Sequence, residues 1–153
     1  MSLADRLRAA GCVFAEDEAA ILTEAASGEE LEALVRRREA GEPLEYIVGW
    51  VEFCGLQLGI APGVFVPRQR SEFLVDQAVE LAPDDPVIVD LCCGCGALGI
   101  AVASALPQAE LHAADIDPVA VECAEENVGH GGAVYCGDLF DALPATLRGR
   151  VNL

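Results

Sequence analysis

Apolar positions recur at helical spacing through the first part of the chain. Leu3, Leu7 and Ala10 share one face, Ala20, Ile21 and Ala25 a second, and Leu31, Leu34 and Val35 a third, so three short helices are predicted over residues 1–41. Gly28 and Gly41 stand where the second and third would end. From Tyr46 to Val66 the period turns strand-like: Trp50-Val51-Glu52-Phe53 and Leu56-Gln57-Leu58-Gly59-Ile60 flank Cys54-Gly55, which predicts a hairpin. A loop marked by Pro62, Gly63 and Pro67 follows. Ser71 is then a candidate N-cap for a helix carrying Phe73, Leu74, Ala78 and Leu81 up to Pro83.

Strand and helix alternate in the remainder. Val87-Ile88-Val89-Asp90-Leu91 reads as a buried strand, and the glycine-rich turn after it opens a helix over Ala97 to Leu106 that Pro107 stops. Glu110 to Ala114 is a second strand. Asp117-Pro118 pairs an N-cap oxygen with a proline at the first helical position, predicting a helix to about Val128. Gly129 to Gly132 breaks it, Ala133 to Cys136 is a third strand, and Val151-Asn152-Leu153 looks like the opening of a fourth. This order predicts an α/β fold with a parallel sheet of Rossmann-like type, preceded by a small helical segment and a β-hairpin.

Charge narrows the partners. The 153 residues carry a formal net charge of -17, all nine basic residues are Arg, and between Ser71 and Leu147 there are 14 acidic residues and no Arg. Such a half repels phosphate backbones, so direct nucleic-acid binding is not expected. Arg36, Arg37 and Arg38 sit where a helix C-terminus favours positive charge, which accounts for them without a binding patch. With 53% hydrophobic residues a packed core is expected, while the ten-residue uncharged stretch Ala97 to Leu106 falls short of the roughly 20 a membrane span needs. Seven cysteines without regular spacing or a signal peptide point to a reducing, cytoplasmic location.

The candidate chemistry centres on Asp90-Leu91-Cys92-Cys93-Gly94-Cys95-Gly96. Small residues between a strand and a helix let a ligand approach unpaired N–H groups. Asp115 lies 19 residues after Gly96 at the end of the next strand, where a carboxylate can accept hydrogen bonds from two ribose hydroxyls. An acid opening the loop, as Asp90 does, would repel a pyrophosphate but attract the cationic sulfonium and amino group of S-adenosylmethionine. Asp138, after Cys136-Gly137, stands where an adenine amine could be met. Cys92-Cys93-Gly94-Cys95 also satisfies a C-x-x-C redox pattern, but that reading leaves Asp90, Gly96 and Asp115 unexplained. For zinc, only Cys136 and His112 are plausible remote ligands and a second C-x-x-C is lacking, so no metal is expected.

These residues stand in a wider pattern. Gly41-x-Pro43-Leu44-x-Tyr46-Ile47-x-Gly49, Glu52-Phe53-x-Gly55-Leu56 and Val66-Pro67-Arg68-x-x-Ser71-Glu72-x-Leu74-Val75 resemble the segment joining the two domains of the protein-glutamine N5-methyltransferases, the PrmC/HemK family that modifies peptide release factors. The resemblance runs from about Gly41 to Leu153. It implies a class I S-adenosylmethionine-dependent methyltransferase fold with a partial sheet. By it, Cys92, Cys93, Gly94, Cys95 and Gly96 match the loop cradling the methionine part of the cofactor, and Asp115 matches the ribose acid. Asp138 and Leu139 match the residues beside the adenine, and Arg68 and Ser71 a loop that closes near the cofactor. Where the family usually has Gly at position 92 and Thr or Ser at 93 and 95, this chain has cysteines, and Cys92 must take a backbone geometry easier for glycine.

The resemblance divides the chain into a helical segment of substrate-recognition type (residues 1–45), a hairpin and linker (46–70) and a cofactor-binding domain (71–153). It implies S-adenosylmethionine as cofactor and a protein substrate, a release factor or ribosomal protein, and the short apolar stretches lead to no expected membrane partner. The family's catalytic Asn-Pro-Pro-Tyr follows a strand whose beginning Arg150-Val151-Asn152-Leu153 fits. The motif is therefore expected beyond Leu153, with no catalytic residue in this stretch, no methyl transfer by it alone, and an exposed sheet edge. Two other readings stay open: a non-catalytic cofactor-binding or interaction module, and a nucleic-acid adenine methyltransferase, which the acid excess disfavours.

Overall fold

A computed structural model describes residues 1–153, which separate into two compact units, Met1–Gly49 and Trp50–Leu153. The first unit is helical: α1 (Leu3–Ala9), α2 (Ala15–Ala25), α3 (Gly28–Glu39) and the short α4 (Leu44–Val48). Ser2 caps α1 reciprocally, its hydroxyl accepting the Asp5 N–H at 3.1 Å while the Asp5 carboxylate accepts the Ser2 N–H at 3.0 Å. The apolar stripes meet in a core of Leu7, Cys12, Ala15, Leu22, Val35 and Ile47. Each large apolar side chain buried there stabilises by about 1.5–3 kcal/mol. Around the core, the Arg6 guanidinium of α1 donates to Glu32 at 2.8 Å and Glu39 at 2.9 Å on α3, and Arg38 donates to Glu18 of α2 at 2.6 Å. Arg37 pairs with Glu42, so two of the three consecutive arginines have ion-pair partners within the unit.

Two local expectations for this unit are overturned. Gly28 opens α3, at φ +60°, and does not close α2; the extended backbone of Ala26 has already turned the chain out of that helix. Tyr46, Ile47 and Val48 lie in α4 and not in a strand, because Ile47 and Val48 pack on the helical core and packing outweighs their β-branched preference.

In the second unit, β1 (Trp50–Phe53) and β2 (Leu56–Gly59) form the hairpin, with Phe53 opposite Leu56. Cys54 and Gly55 take φ +49° and +71°, the two left-handed residues of a tight two-residue turn. Val51, Phe53 and Leu58 are buried while Glu52 and Gln57 face solvent. The chain enters α5 (Glu72–Leu81) through a 3-10 turn at Gln69–Ser71. Ser71 is itself helical and its hydroxyl caps nothing, contrary to the sequence expectation. The Glu72 carboxylate instead accepts the Cys54 N–H at 3.0 Å.

Strands β3 (Val87–Leu91), β4 (Glu110–Asp115) and β5 (Gly132–Cys136) then alternate with α6 (Ala97–Ala105) and α7 (Pro118–Val128). The sheet is parallel in the order β3-β4-β5, with Val87 opposite Glu110 and Leu111 opposite Gly132. At Gly132 a Cβ would lie 2.6 Å from the Leu111 carbonyl oxygen, so β5 can begin this close only with glycine. Asp117 caps α7 as expected, accepting the Val119 N–H at 2.9 Å ahead of Pro118. His112, buried in β4, is satisfied on both ring nitrogens, by the Tyr135 hydroxyl and the Glu110 carboxylate at 2.9 Å each. The edge of β3 not taken by β4 bonds to the last residues: Asn152 N–H donates to the Val87 carbonyl at 3.2 Å, and Val89 N–H to that of Leu153 at 3.0 Å. That is the pairing expected of a strand opening beside the first. No helix is long and apolar enough to cross a membrane.

Candidate functional site

The carboxyl ends of β3 and β4 build the site. After Leu91 the chain passes through Cys92, Gly94 and Gly96 at φ +57°, +57° and +82°, so every second residue is left-handed and the turn coils tightly into α6. Cys92 therefore adopts the glycine-like geometry expected of it. Backbone bonds hold the coil, Cys93 N–H to the Ala114 carbonyl at 3.1 Å and Gly96 N–H to that of Cys93 at 2.8 Å. Asp115 closes it from β4: one carboxylate oxygen accepts the Gly94 N–H at 2.9 Å and the other the Asp117 N–H at 3.0 Å.

Beside this turn lies a cavity of about 390 Å³. Val64, Phe65, Pro67, Arg68 and Ser71 line one part of it, the turn from Cys92 to Cys95 another, and Asp115, Asp117 and Ala120 also border it. The Arg68 guanidinium sits over the Phe65 ring, 5.4 Å from its centre. Of the residues singled out from sequence, Arg68, Cys92, Cys93, Gly94, Cys95 and Asp115 are thus together. Gly96 stands just behind, as the N-cap of α6. Asp90 faces a neighbouring apolar cavity of about 280 Å³, its carboxylate accepting the Gly99 N–H at 2.9 Å. Asp138 and Leu139 lie past β5, at a 3-10 turn outside the lining, and the Asp115 carbonyl accepts the Gly137 N–H at 2.9 Å beside them.

The electrostatics of the turn follow from burial next to acids. Burial pushes the Asp90 carboxyl above its ordinary value, against the Gly99 N–H, and the nearby Asp115 charge adds to the rise. Burial pushes the Cys93 thiol up to about 12, with Asp90 and Asp115 reinforcing it. Cys95 is pushed up to about 11, first by burial and then by Cys123 and Asp90. Both are neutral thiols near pH 7, poor nucleophiles and poor metal ligands.

Sequence reasoning missed two residues that shape the site. Gly99 lets α6 lie on the sheet, since a Cβ there would come 2.8 Å from Leu111 Cδ1 and 3.0 Å from the Asp90 side chain. Asn127 of α7 donates to the Cys95 carbonyl at 2.9 Å. The available signal was its position, a polar residue amid the buried Ala120, Cys123, Ala124 and Val128 of an otherwise apolar helix face.

A parallel α/β sheet in which a strand runs through a glycine turn into a helix, with an acid at the end of the next strand, defines a Rossmann-like domain. The family model "Methyltransferase small domain" matches residues 56–146, and the chain belongs to that family. It is 38% identical over 113 residues to a release factor glutamine methyltransferase of Geobacter sulfurreducens, covering 72% of this chain and 40% of that protein. The enzyme of the same name from Streptomyces coelicolor is 40% identical over 125 residues (78% and 44%), and that of Escherichia coli 41% over 103 residues (67% and 37%). The chain thus spans about four tenths of the length of these curated relatives. The Pyrococcus abyssi tRNA (uracil-54, C5)-methyltransferase, solved with S-adenosyl-L-homocysteine, aligns at TM-score 0.49 and 21% identity over 59% of this chain and 24% of that one, too slight a likeness to argue from.

Proposed function

We propose that this chain binds S-adenosylmethionine in the cavity beside the Cys92–Gly96 turn and serves a release factor glutamine methyltransferase, which N5-methylates a glutamine side chain of a peptide release factor. The observation that carries the reading is the Asp115 carboxylate, held by the Gly94 N–H at the edge of a cavity lined by one arginine and two aspartates. Each Asp115 oxygen spends one lone pair on the backbone, which leaves acceptor capacity for two ribose hydroxyls. The acidic lining suits a cationic ligand and disfavours a pyrophosphate.

The residues fit the cofactor without rearrangement of the turn. At Gly94 even a Cβ would come no closer than 3.9 Å to another atom, so the backbone there is open to a ligand. Arg68, the basic residue of the lining, would face the cofactor's carboxylate, and the Cys92–Cys95 backbone would follow its methionine part. Asp90 lies behind the turn, where its carboxylate form would attract the cationic cofactor. Asp138 and Leu139 would border the adenine, their loop tied to β4 through the Gly137 bond. When bound, the cofactor supplies an electrophilic methyl group on a sulfonium. A glutamine amide is a weak nucleophile because its lone pair is delocalised, so orientation of that nitrogen in line with the methyl group would supply the rate.

The names of the relatives support glutamine as the acceptor and a release factor as the protein that carries it. Calorimetric titration with S-adenosylhomocysteine tests the cofactor site, and transfer of labelled methyl groups to a release factor tests the activity. Heat of binding that competes with S-adenosylmethionine is expected. Transfer by residues 1–153 alone would overturn the expectation that they hold no catalytic residue, and absence of binding would remove the cofactor reading.

A further inference from the structure

The hydrogen bonds of the Asn127 side chain reach two different parts of the unit. Its oxygen accepts the Gly59 N–H at 2.8 Å, and its NH₂ donates to the Gly59 carbonyl at 2.8 Å and to the Cys95 carbonyl at 2.9 Å. Both donors are used, and the amide reads the Gly59 peptide group on both sides, as a neighbouring strand would. Cys123, one turn earlier on α7, adds its thiol to the Gly59 carbonyl at 3.3 Å.

Where these contacts fall gives them their meaning. Gly59 ends β2 and starts the loop that supplies Val64, Phe65, Pro67 and Arg68 to one wall of the cavity. Cys95 belongs to the turn that forms the facing wall. One amide therefore spans the origins of both walls. Gly59 is matched to the contact, since a Cβ there would stand only 3.3 Å from the Asn127 oxygen. A hydrophobic residue at 127 would bury equally well on α7 but leave the Gly59 and Cys95 carbonyls without this donor.

We infer that Asn127 is a positioning residue for the cofactor site: it sets the separation between the loop after β2 and the Cys92–Gly96 turn, and so the width of the cavity. The inference rests on the reading of that cavity as the cofactor site, and its test separates the two. Hydrogen exchange needs no ligand. In Asn127→Ala, exchange should rise at Gly59 and across residues 60–68 and 92–96, while the amides of β4 keep their protection. Gly59→Ala crowds the same contact from the other side and should loosen the same two segments, which covers the case that Asn127→Ala fails to fold.

Titration then reads the consequence for binding. S-adenosylhomocysteine, whose methionine part would lie along the turn, should weaken about 10-fold or more in either variant, whereas 5′-methylthioadenosine, which lacks the amino-acid part, should weaken roughly threefold at most. Asn127→Asp keeps the acceptor for Gly59 but loses both donors, and should bind S-adenosylhomocysteine as poorly as Asn127→Ala. Loosening spread evenly over the whole unit, no change in exchange, or equal weakening of both ligands would overturn the positioning role. If the parent chain binds neither ligand, the cofactor reading fails, and the exchange pattern alone decides whether Asn127 sets the two walls.

Discussion

The Asp115 carboxylate accepts the Gly94 backbone N–H at 2.9 Å, and by that bond the end of β4 holds the turn that follows β3. The same side chain is therefore both the proposed ribose acceptor and a brace for the loop beside it. Asp115→Ala removes both roles. A charge-assisted hydrogen bond contributes about 1.5–3 kcal/mol, so affinity for S-adenosylhomocysteine should fall roughly 10-fold to 150-fold. Calorimetry on parent and variant measures it, and equal affinities would remove the ribose assignment.

Asp90 is expected to trade stability for ligand attraction. Its carboxyl is pushed up by burial and by Asp115, so the folded state disfavours its charged form. Asp90→Asn can keep an oxygen toward the Gly99 N–H while removing that charge. The variant should unfold at higher urea concentration than the parent and bind S-adenosylmethionine more weakly. A loss of stability, or binding as tight as the parent's, would contradict the role given to Asp90.

Cys92 sits at φ +57°, where a side chain costs roughly 1–2 kcal/mol that glycine avoids, less about 0.5–1 kcal/mol for the extra freedom of glycine when unfolded. Cys92→Gly should therefore raise stability by up to about 1.5 kcal/mol without weakening cofactor binding. Thermal unfolding checks the sign. A lower midpoint would mean that the exposed Cys92 side chain makes contacts that outweigh its strain.

The thiols give the protein an alkaline limit. Cys93 and Cys95 are raised from an ordinary 9.0 to about 12 and about 11, so between these values the unfolded chain has lost protons that the folded one still holds. Stability is thus fully present below pH 9 and falls as pH rises from 9 toward 12. Urea unfolding at about pH 8 and about pH 10.5 should show the loss, and Cys93→Ala should reduce it. Alkylation near pH 8 should reach the exposed Cys92 and Cys136 while Cys93 and Cys95 stay silent until the protein unfolds.

Much of the second unit was legible because its signals are local. Cys54-Gly55 between two alternating runs allows hardly any other turn, Asp117-Pro118 starts a helix by its own bonds, and Val87-Ile88-Val89 favours a strand through side-chain shape alone. That Asp115 lies beside the glycine turn could be read from spacing, since a parallel crossover returns the chain to the same end of the sheet. One expectation failed for a local reason. Ser71 has the right side chain for a cap, but the 3-10 turn before it puts its backbone in the helix.

The sequence by itself determined the hairpin turn at Cys54-Gly55, the alternation of strand and helix from Val87 onward and the left-handed backbone of Cys92, because those depend on side chains a few positions apart. Only the tertiary structure decided that Tyr46-Ile47-Val48 is helical, that Asp90 turns toward Gly99 and away from the main cavity, and that Asn127 joins Gly59 to Cys95. The physical reason is common to all three. Periodicity tells which face of an element is buried, while the groups waiting on the other side, and the hydrogen bonds they leave to be completed, come from parts of the chain far away in sequence.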